Sequence, residues 1–217
     1  MSKLFIVGIG PGSKEYLTQK AINTVRNSDV TIGSWRAIDI FDDIGETIGL
    51  NVKDLQKKLE LAVDLARGGK EVCVLSTGDP GFSGVLKTIL RIAKSKEFNA
   101  DNIEVIPGIS SLQLAAAKNR ISWDEANIMT FHGRENIEDI LEVIDNGQPT
   151  IALPSKSVKD MAQFLLDNGV NGDRKVTICE KLSYPEEKIM TTNLKEVINS
   201  DFSYMCVMIV YFGKYRE

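Results

Sequence analysis

The sequence predicts an α/β protein built from two small lobes, and three observations support this prediction. Short apolar runs typical of buried strands alternate along the chain with amphipathic helical stretches. The stretches between strands are long enough for the right-handed crossovers that parallel pairing requires. A segment of proline, glycine and serine at residues 107–111 divides the chain near its middle. We therefore expect an N-terminal α/β lobe at residues 1–111 and a C-terminal α/β lobe at residues 112–217.

In the first lobe, four apolar runs predict strands and four periodic stretches predict helices. The first run ends in glycines, and apolar residues then recur at helical spacing from Leu17 to Val25. Gly68 and Gly69 stop the third helix. The strands are expected at residues 3–9, 30–32, 71–75 and 103–106, and the helices at residues 15–27, 35–41, 52–67 and 82–94.

The second lobe repeats the alternation after an alanine-rich helix at its start. Gly169 closes a later helix, and the last strand is a nearly continuous apolar run. The strands are expected at residues 127–131, 150–153, 176–179 and 204–212, and the helices at residues 112–118, 137–145, 158–168 and 194–199.

Composition and charge exclude several classes of protein. The 217 residues are 43% hydrophobic and 26% charged, which is ordinary for a globular protein and excludes wholesale disorder. No apolar run approaches the ~18 residues of a membrane-spanning helix, and the apolar N-terminal stretch is too short for a signal peptide, so we expect a cytoplasmic protein. The formal net charge of −4, without a cluster of lysine and arginine, argues against a nucleic-acid partner.

Cysteine and histidine are too sparse for a metal centre. Cys73, Cys179 and Cys206 lie far apart in apolar runs, which indicates buried thiols in a reducing compartment. His132 is the only histidine, so we predict no protein-bound metal.

Ligands of parallel α/β sheets bind beyond the carboxyl ends of strands, and three glycine-bearing loops occupy such positions. The first, Gly8-Ile9-Gly10-Pro11-Gly12, lacks the third glycine of a dinucleotide-binding fingerprint because Ser13 stands there. Pro11 also removes an amide donor, and no acidic residue ends the second strand. A ligand loop and a plain strand-to-helix turn both fit this segment.

The second loop runs from Ser76 to Gly84 and contains three glycines and the acid Asp79. These are more glycines than a helix start requires, so the loop favours a ligand that contacts the backbone, with Asp79 as a charged acceptor. In the third loop, Ser110 and Ser111 either cap the next helix or leave amide groups for a ligand. His132 follows a strand of the second lobe, where a structural and a catalytic role are equally open.

No nucleophile motif accompanies these loops. The chain has no Gly-x-Ser-x-Gly elbow, no cysteine near an acid/base pair in sequence and no Gly-Lys-Ser/Thr phosphate loop. Ligand loops without a nucleophile suggest that a cosubstrate brings the reactivity.

Taken together, the loops resemble those of the tetrapyrrole methylase family, over essentially the whole chain. The motifs are Gly8-Ile9-Gly10-Pro11-Gly12, Gly78-Asp79-Pro80 and Pro107-Gly108-Ile109-Ser110-Ser111. The resemblance implies a mostly parallel N-terminal sheet, a mixed C-terminal sheet and a methyltransferase that binds S-adenosylmethionine (SAM) between its lobes. The matching cofactor-binding positions are Pro11, Gly78, Asp79, Phe82, Ser110, Ser111, Leu153 and Leu182. Around Leu182 the family often has Asn-Gly-Thr, where this chain has Lys181-Leu182-Ser183.

Other segments, among them residues 32–37 and 179–187, are most similar to family members that methylate precorrin macrocycles in cobalamin biosynthesis. Such substrates carry acetate and propionate groups, so the resemblance implies that Arg36 and Arg134 bind carboxylates. Asp79 and His132 are the catalytic candidates, and histidine is suited to proton transfer near neutrality.

The resemblance also implies a homodimer, a separate C(15)-methyltransferase and decarboxylase as a further partner, and cobalt, where present, as part of the substrate. Three alternatives stay open. One is another family member, acting at a different ring position or on a modified protein histidine as diphthine synthase does. The others are a nicotinamide-dependent oxidoreductase and a ligand-binding module without turnover.

Overall fold

The computed structural model describes residues 3–133 and 137–213. The chain divides into two compact units, one ending at Ser110 and the other beginning at Ser111. Within the described residues, each unit forms a five-stranded sheet.

The sheet of the first unit is parallel. Its strands are β1 (Leu4–Gly8), β2 (Val30–Gly33), β3 (Glu46–Gly49), β4 (Val72–Ser76) and β5 (Ile103–Ile106). They lie in the spatial order β3-β2-β4-β1-β5, and every pairing is parallel. All five carboxyl ends therefore meet at one edge, which confirms the predicted α/β sheet.

Helices cover both faces of this sheet. They are α1 (Gln19–Arg26), α2 (Trp35–Ile38), α3 (Leu55–Arg67) and α4 (Leu86–Ser95). Because neighbouring strand residues point to opposite faces, Ile6 of β1 joins a core with α3 and α4, whereas Val7 joins a core with α1 and α2. Coverage on both faces explains why the central strands are continuous apolar runs.

The second unit contains a mixed sheet, as predicted. Its strands are β6 (Asn127–Thr130), β7 (Thr150–Leu153), β8 (Lys175–Glu180), β9 (Lys188–Asn193) and β10 (Cys206–Val210). The spatial order is β6-β7-β10-β8-β9, in which β6 and β7 are parallel and the other pairs antiparallel. The helices are α5 (Ser111–Lys118), α6 (Asp139–Val143), α7 (Val158–Asp167) and α8 (Leu194–Val197).

The sequence analysis misses two strands, β3 and β9, each of which forms an edge of its sheet. Their residues are half-buried or exposed, so neither strand forms an apolar run. The remaining strand predictions overlap the observed strands, with ends that differ by at most two residues.

Three helices of the first unit begin three or four residues later than the periodicity predicts. The first begins at Gln19 because the Thr18 hydroxyl caps it, accepting the Ala21 N–H at 3.1 Å. The third begins at Leu55, because Asn51 N–H donates to the Asp54 carboxylate at 2.7 Å and forms a separate turn. The fourth begins at Leu86, since the preceding loop has a non-helical conformation.

None of the described helices is both long enough and apolar enough to cross a membrane.

The three thiols are buried, as predicted, and burial raises their pKa values. Desolvation raises the pKa of Cys179 to about 11 and that of Cys206 to about 12, and it also raises the pKa of Cys73. We therefore expect all three to resist a thiol-directed reagent in the native protein at about pH 8 and to react after unfolding in denaturant. Rapid labelling of any one of them in the native protein would contradict this expectation.

Candidate functional site

Three loops meet at the carboxyl edge of the first sheet, where β4, β1 and β5 are neighbours. Gly8 ends β1, Gly78 follows β4 and Gly108 follows β5. A Cβ added to Gly8 would lie 2.5 Å from the Gly108 nitrogen and 2.8 Å from the Gly78 carbonyl oxygen. A Cβ added to Gly108 would lie 2.4 Å from the same oxygen. Positions 8 and 108 therefore need a residue without a side chain for this close backbone contact.

Two backbone hydrogen bonds join the first loop to the second. The Gly10 N–H donates to the Gly78 carbonyl at 3.3 Å, and the Gly78 N–H donates to the Gly10 carbonyl at 2.8 Å. Both residues have a positive φ, +74° and +69°, which other residue types rarely adopt. Pro11, a predicted cofactor position, is buried immediately after this bridge.

The Asp79 carboxylate joins the second loop to the third. Its Oδ1 accepts the Gly81 N–H at 2.8 Å, and its Oδ2 accepts the Gly108 N–H at 3.1 Å. Bonds from an amide to a carboxylate are stronger than those to a neutral acceptor. Each oxygen keeps a further lone pair for a ligand. Asp79 therefore organises the loops, a role that the sequence analysis does not foresee.

The rest of the β4 loop closes tightly on itself. The Phe82 N–H donates to the Asp79 carbonyl at 3.3 Å, and the Leu86 N–H donates to the Pro80 carbonyl at 3.2 Å. A Cβ at Gly84 would lie 2.5 Å from the Pro80 oxygen. Phe82, a predicted cofactor position, is half-buried in this loop.

The third loop brings Ser110 beside the second. The Cα of Ser110 would lie 3.8 Å from a Cβ placed on Gly78. Ser111 is the first residue of α5 and begins the second unit. The structure thus brings Gly78, Asp79 and Ser110 together at one edge of the first sheet.

The geometry around β1 and β2 departs from a dinucleotide-binding site. Ser13 begins a short 3-10 helix at Lys14–Tyr16 by accepting the Glu15 N–H at 3.2 Å, so the first loop does not lead directly into an α-helix. Asp29, the acid nearest to β2, lies before that strand and accepts the Glu71 N–H at 2.8 Å. Both features argue against the nicotinamide alternative.

Arg36 is exposed in α2, directly after the carboxyl end of β2. The preceding residue, Trp35, packs its indole against Gly49, where an added Cβ would lie 2.3 Å from the Trp35 Cε2 atom. The indole is nevertheless 60% exposed. This part of the edge presents a cation and an aromatic surface.

In the second unit, three predicted residues lie at or just beyond the carboxyl ends of strands that run in the same direction, β6, β7 and β8. Leu153 ends β7, and its carbonyl accepts the Phe131 N–H at 2.9 Å. His132 follows Phe131 and is exposed, and its backbone N–H donates to the Thr130 hydroxyl at 3.3 Å. Leu182 lies two residues beyond β8.

Leu182 is buried in a tight turn. Its neighbours Lys181 and Ser183 have positive φ values of +47° and +71°. The Lys181 N–H donates to the Met205 carbonyl at 2.9 Å, and the Ser183 N–H donates to Glu187 Oε2 at 2.8 Å. Within residues 3–133 and 137–213, the Leu182 backbone itself makes no hydrogen bond. Buried backbone groups almost always have partners, so the Leu182 backbone is a candidate for a ligand contact.

These groups are suited to binding and orientation. In the described part of the chain, no three His, Cys, Asp or Glu side chains lie close enough together to hold a metal ion. The loops offer backbone groups, one carboxylate and small hydroxyls, which can align a reactive cosubstrate with an acceptor. Arg134, the second predicted carboxylate-binding residue, lies outside the described residues.

The sequence analysis misses most of the contacts that hold the site together. Lys118 Nζ lies 2.6 Å from Glu187 Oε1, an ion pair between residues 69 positions apart in sequence. No local pattern signals such a pair. The contact between Gly8 and Gly108 was detectable only as an unusual density of glycine after two strands.

Comparison with known proteins adds evidence from whole sequences. The sequence profile of the family described as Tetrapyrrole (Corrin/Porphyrin) Methylases matches residues 3–198. The probable cobalt-precorrin-7 C(5)-methyltransferase of Methanocaldococcus jannaschii is 46% identical over 208 residues, which cover 95% of this chain and 96% of that protein.

Solved structures share the fold. The crystal structure of the methyltransferase CobJ matches with a TM-score of 0.86 at 16% identity, covering 100% of this chain and 97% of that one. Uroporphyrin-III C-methyltransferase from Thermus thermophilus, in complex with S-adenosylhomocysteine, matches with a TM-score of 0.78 at 21% identity, covering 97% and 92%. At such identities the likeness establishes the fold alone.

Proposed function

The chain belongs to the tetrapyrrole methylase family, and from that premise we propose that it transfers the methyl group of SAM to carbon 5 of cobalt-precorrin-7 or of precorrin-6Y. The near-full-length identity to the archaeal relative carries this proposal. The predicted class, a SAM-dependent C-methyltransferase of cobalamin biosynthesis, is thereby confirmed.

The first unit offers features that fit SAM. The family uses SAM as methyl donor, and its sulfonium supplies an already activated methyl group. The backbones of Gly8, Gly78 and Gly108 carry no side chain over the carboxyl edge. Asp79 retains acceptor capacity there. These observations support the assignment of this edge to the donor.

The chain's own contribution is chiefly alignment. Holding two reactants in a productive geometry lowers a barrier by about 7–11 kcal/mol in the best cases. In the first unit, Gly78, Asp79 and Ser110 would orient the donor. Leu153 and Leu182 of the second unit remain predicted donor-binding positions. His132, exposed after β6, is the residue we assign to proton transfer at the macrocycle. The homodimer and the C(15)-acting partner remain predictions.

The acceptor carries carboxylates, so we assign Arg36 to them. Arg36→Ala should raise the KM for the macrocycle about 10-fold or more, the usual effect of losing a charge-assisted contact, with little change in the SAM Kd. Arg67→Ala is the matched control, because Arg67 is exposed in the last turn of α3, away from the carboxyl edge. Equal losses of SAM and macrocycle affinity in Arg36→Ala would make Arg36 a structural residue.

The deciding experiment incubates the protein with methyl-labelled SAM and cobalt-precorrin-7 and follows the product by mass spectrometry and carbon NMR. Transfer of one label to carbon 5 supports the proposal. Transfer to another ring position, to another precorrin, or to the modified histidine that diphthine synthase uses would replace it with the family alternative. Binding of S-adenosylhomocysteine without any transfer would indicate a ligand-binding module.

A further inference from the structure

We infer that Glu187 is a positioning residue for the methyl donor: its carboxylate, fixed by Lys118, holds the turn at residues 181–183 in the form that presents the Leu182 backbone. This inference rests on the proposed function, because it assigns that backbone to SAM. All the residues concerned belong to the second unit.

The turn is strained on both sides of Leu182. Lys181 and Ser183 both lie in the left-handed region of backbone conformation, at φ +47° and +71°. This region costs free energy for any residue with a Cβ, and glycine and asparagine adopt it most readily. Neither position carries glycine or asparagine here, so contacts elsewhere must hold the turn.

Glu187 supplies such a contact from within the same segment. Its Oε2 accepts the Ser183 N–H at 2.8 Å, directly at the second strained residue. The backbone brings it there, since the Glu187 N–H donates to the Tyr184 carbonyl and the Tyr184 N–H donates to the Lys181 carbonyl, each at 3.0 Å. The carboxylate thus closes a compact loop around Leu182.

Lys118 fixes the carboxylate in turn. Its Nζ lies 2.6 Å from Glu187 Oε1, and the two side chains are only 31% and 22% exposed. Desolvation alone would raise the pKa of Glu187, but the hydrogen bonds from Lys118 and from the Ser183 N–H outweigh it and lower that pKa. The carboxylate therefore stays charged near neutrality.

Lys118 also connects this turn to another predicted cofactor position. It is the last residue of α5, and Ser111 is the first. One rigid helix therefore joins Ser111 to the ion pair that holds the Leu182 turn. A displacement of Glu187 would then affect Ser111 and Leu182, two positions assigned to the donor.

The contacts of Glu187 and Lys118 hold the turn so that the Leu182 backbone is presented to a ligand. Leu182 is 5% exposed, and among the described residues neither its N–H nor its carbonyl has a hydrogen-bond partner. Strained residues and unpartnered buried backbone groups are typical of ligand-binding segments. Residues 181–183 combine two strained residues with a buried backbone that lacks a hydrogen-bond partner among the described residues.

The test compares Glu187→Ala, Glu187→Gln and Glu186→Gln. Glu186 is exposed one residue earlier, so Glu186→Gln removes the same charge outside the ion pair and should leave the Kd of S-adenosylhomocysteine unchanged. Glu187→Ala should raise that Kd about 10-fold or more, because the Ser183 N–H loses its acceptor. Glu187→Gln keeps an acceptor oxygen but loses the ionic contact, so the Kd of S-adenosylhomocysteine should rise about 3-fold. Calorimetry measures each value.

Kinetics and a variant of the partner separate positioning from folding. Glu187→Gln should raise the KM for SAM with little change in kcat or in the KM for the macrocycle. Lys118→Met should match Glu187→Gln, and the double variant should add little, because both changes remove the same ion pair.

Two results would overturn the inference: an unchanged Kd in both Glu187→Gln and Lys118→Met, or parallel losses for donor and macrocycle. These two variants also decide the matter if Glu187→Ala fails to fold. Failure of the unaltered protein to bind S-adenosylhomocysteine would instead overturn the proposed function itself.

Discussion

Gly108→Ala is expected to abolish SAM binding and to reduce the free energy of unfolding by about 3 kcal/mol, the upper range for overpacking a rigid site. The added Cβ would lie 2.4 Å from the Gly78 carbonyl oxygen and 2.7 Å from the Gly8 carbonyl carbon. Both are backbone atoms, so no change of rotamer relieves the overlap. Any backbone shift large enough to relieve the overlap would also break the hydrogen bond from the Gly108 N–H to Asp79.

Denaturant unfolding and calorimetry with S-adenosylhomocysteine measure the two effects of Gly108→Ala. Gly213→Ala is the matched control, since an added Cβ there meets no atom within 4 Å. Gly213→Ala should change neither the free energy of unfolding nor the affinity for S-adenosylhomocysteine. A Gly108→Ala protein with ordinary stability and donor affinity would show that the three backbones do not need their close contact.

Asp79→Ala is expected to raise the SAM Kd about 10- to 100-fold, because two amide donors lose a charged acceptor at once. The Gly81 and Gly108 N–H groups would turn to solvent, and the β4 and β5 loops would lose the side chain that joins them. The melting temperature should fall much less, since the hydrophobic cores of the first unit do not contain Asp79.

Two further variants check this result. Asp79→Asn keeps one acceptor oxygen, so it should retain one of the two amide bonds and show an intermediate Kd. Asp101→Ala removes the same charge from an exposed position before β5, at the opposite edge of the sheet, and should behave as the unaltered protein does. Unchanged turnover in a folded Asp79→Ala protein would refute a role in the donor site.

The sequence predicts the strands in the middle of each sheet and misses one edge strand of each, β3 and β9. β4 and β10 are buried along their whole length, and burial on both faces leaves a continuous apolar run in the sequence. In β3 only Ile48 and Gly49 are even half-buried, so that strand leaves no comparable signal. Its pairing with β2 is decided by the sheet rather than by its own composition.

The candidate site was predictable as a set of loops but not as a set of contacts. Glycine and serine after strands mark a place where a ligand approaches the backbone, and this reasoning found Gly78 and Ser110. It could not find that Asp79 reaches Gly108, because that bond spans 29 positions. The sequence also could not indicate the ion pair of Glu187 with Lys118, because each charged residue taken alone is typical of a solvated surface.

The meeting of Gly8, Gly78 and Gly108 has an evolutionary consequence. Because it is made of main-chain atoms, natural selection can exchange neighbouring side chains without disturbing it. With Arg36 assigned to the acceptor as proposed above, mutations at Trp35 or Arg36 would change acceptor preference while the donor stays the same. Such a division of labour lets one ancestral scaffold diversify over many substrates, with those three glycines as the positions where drift is least tolerated.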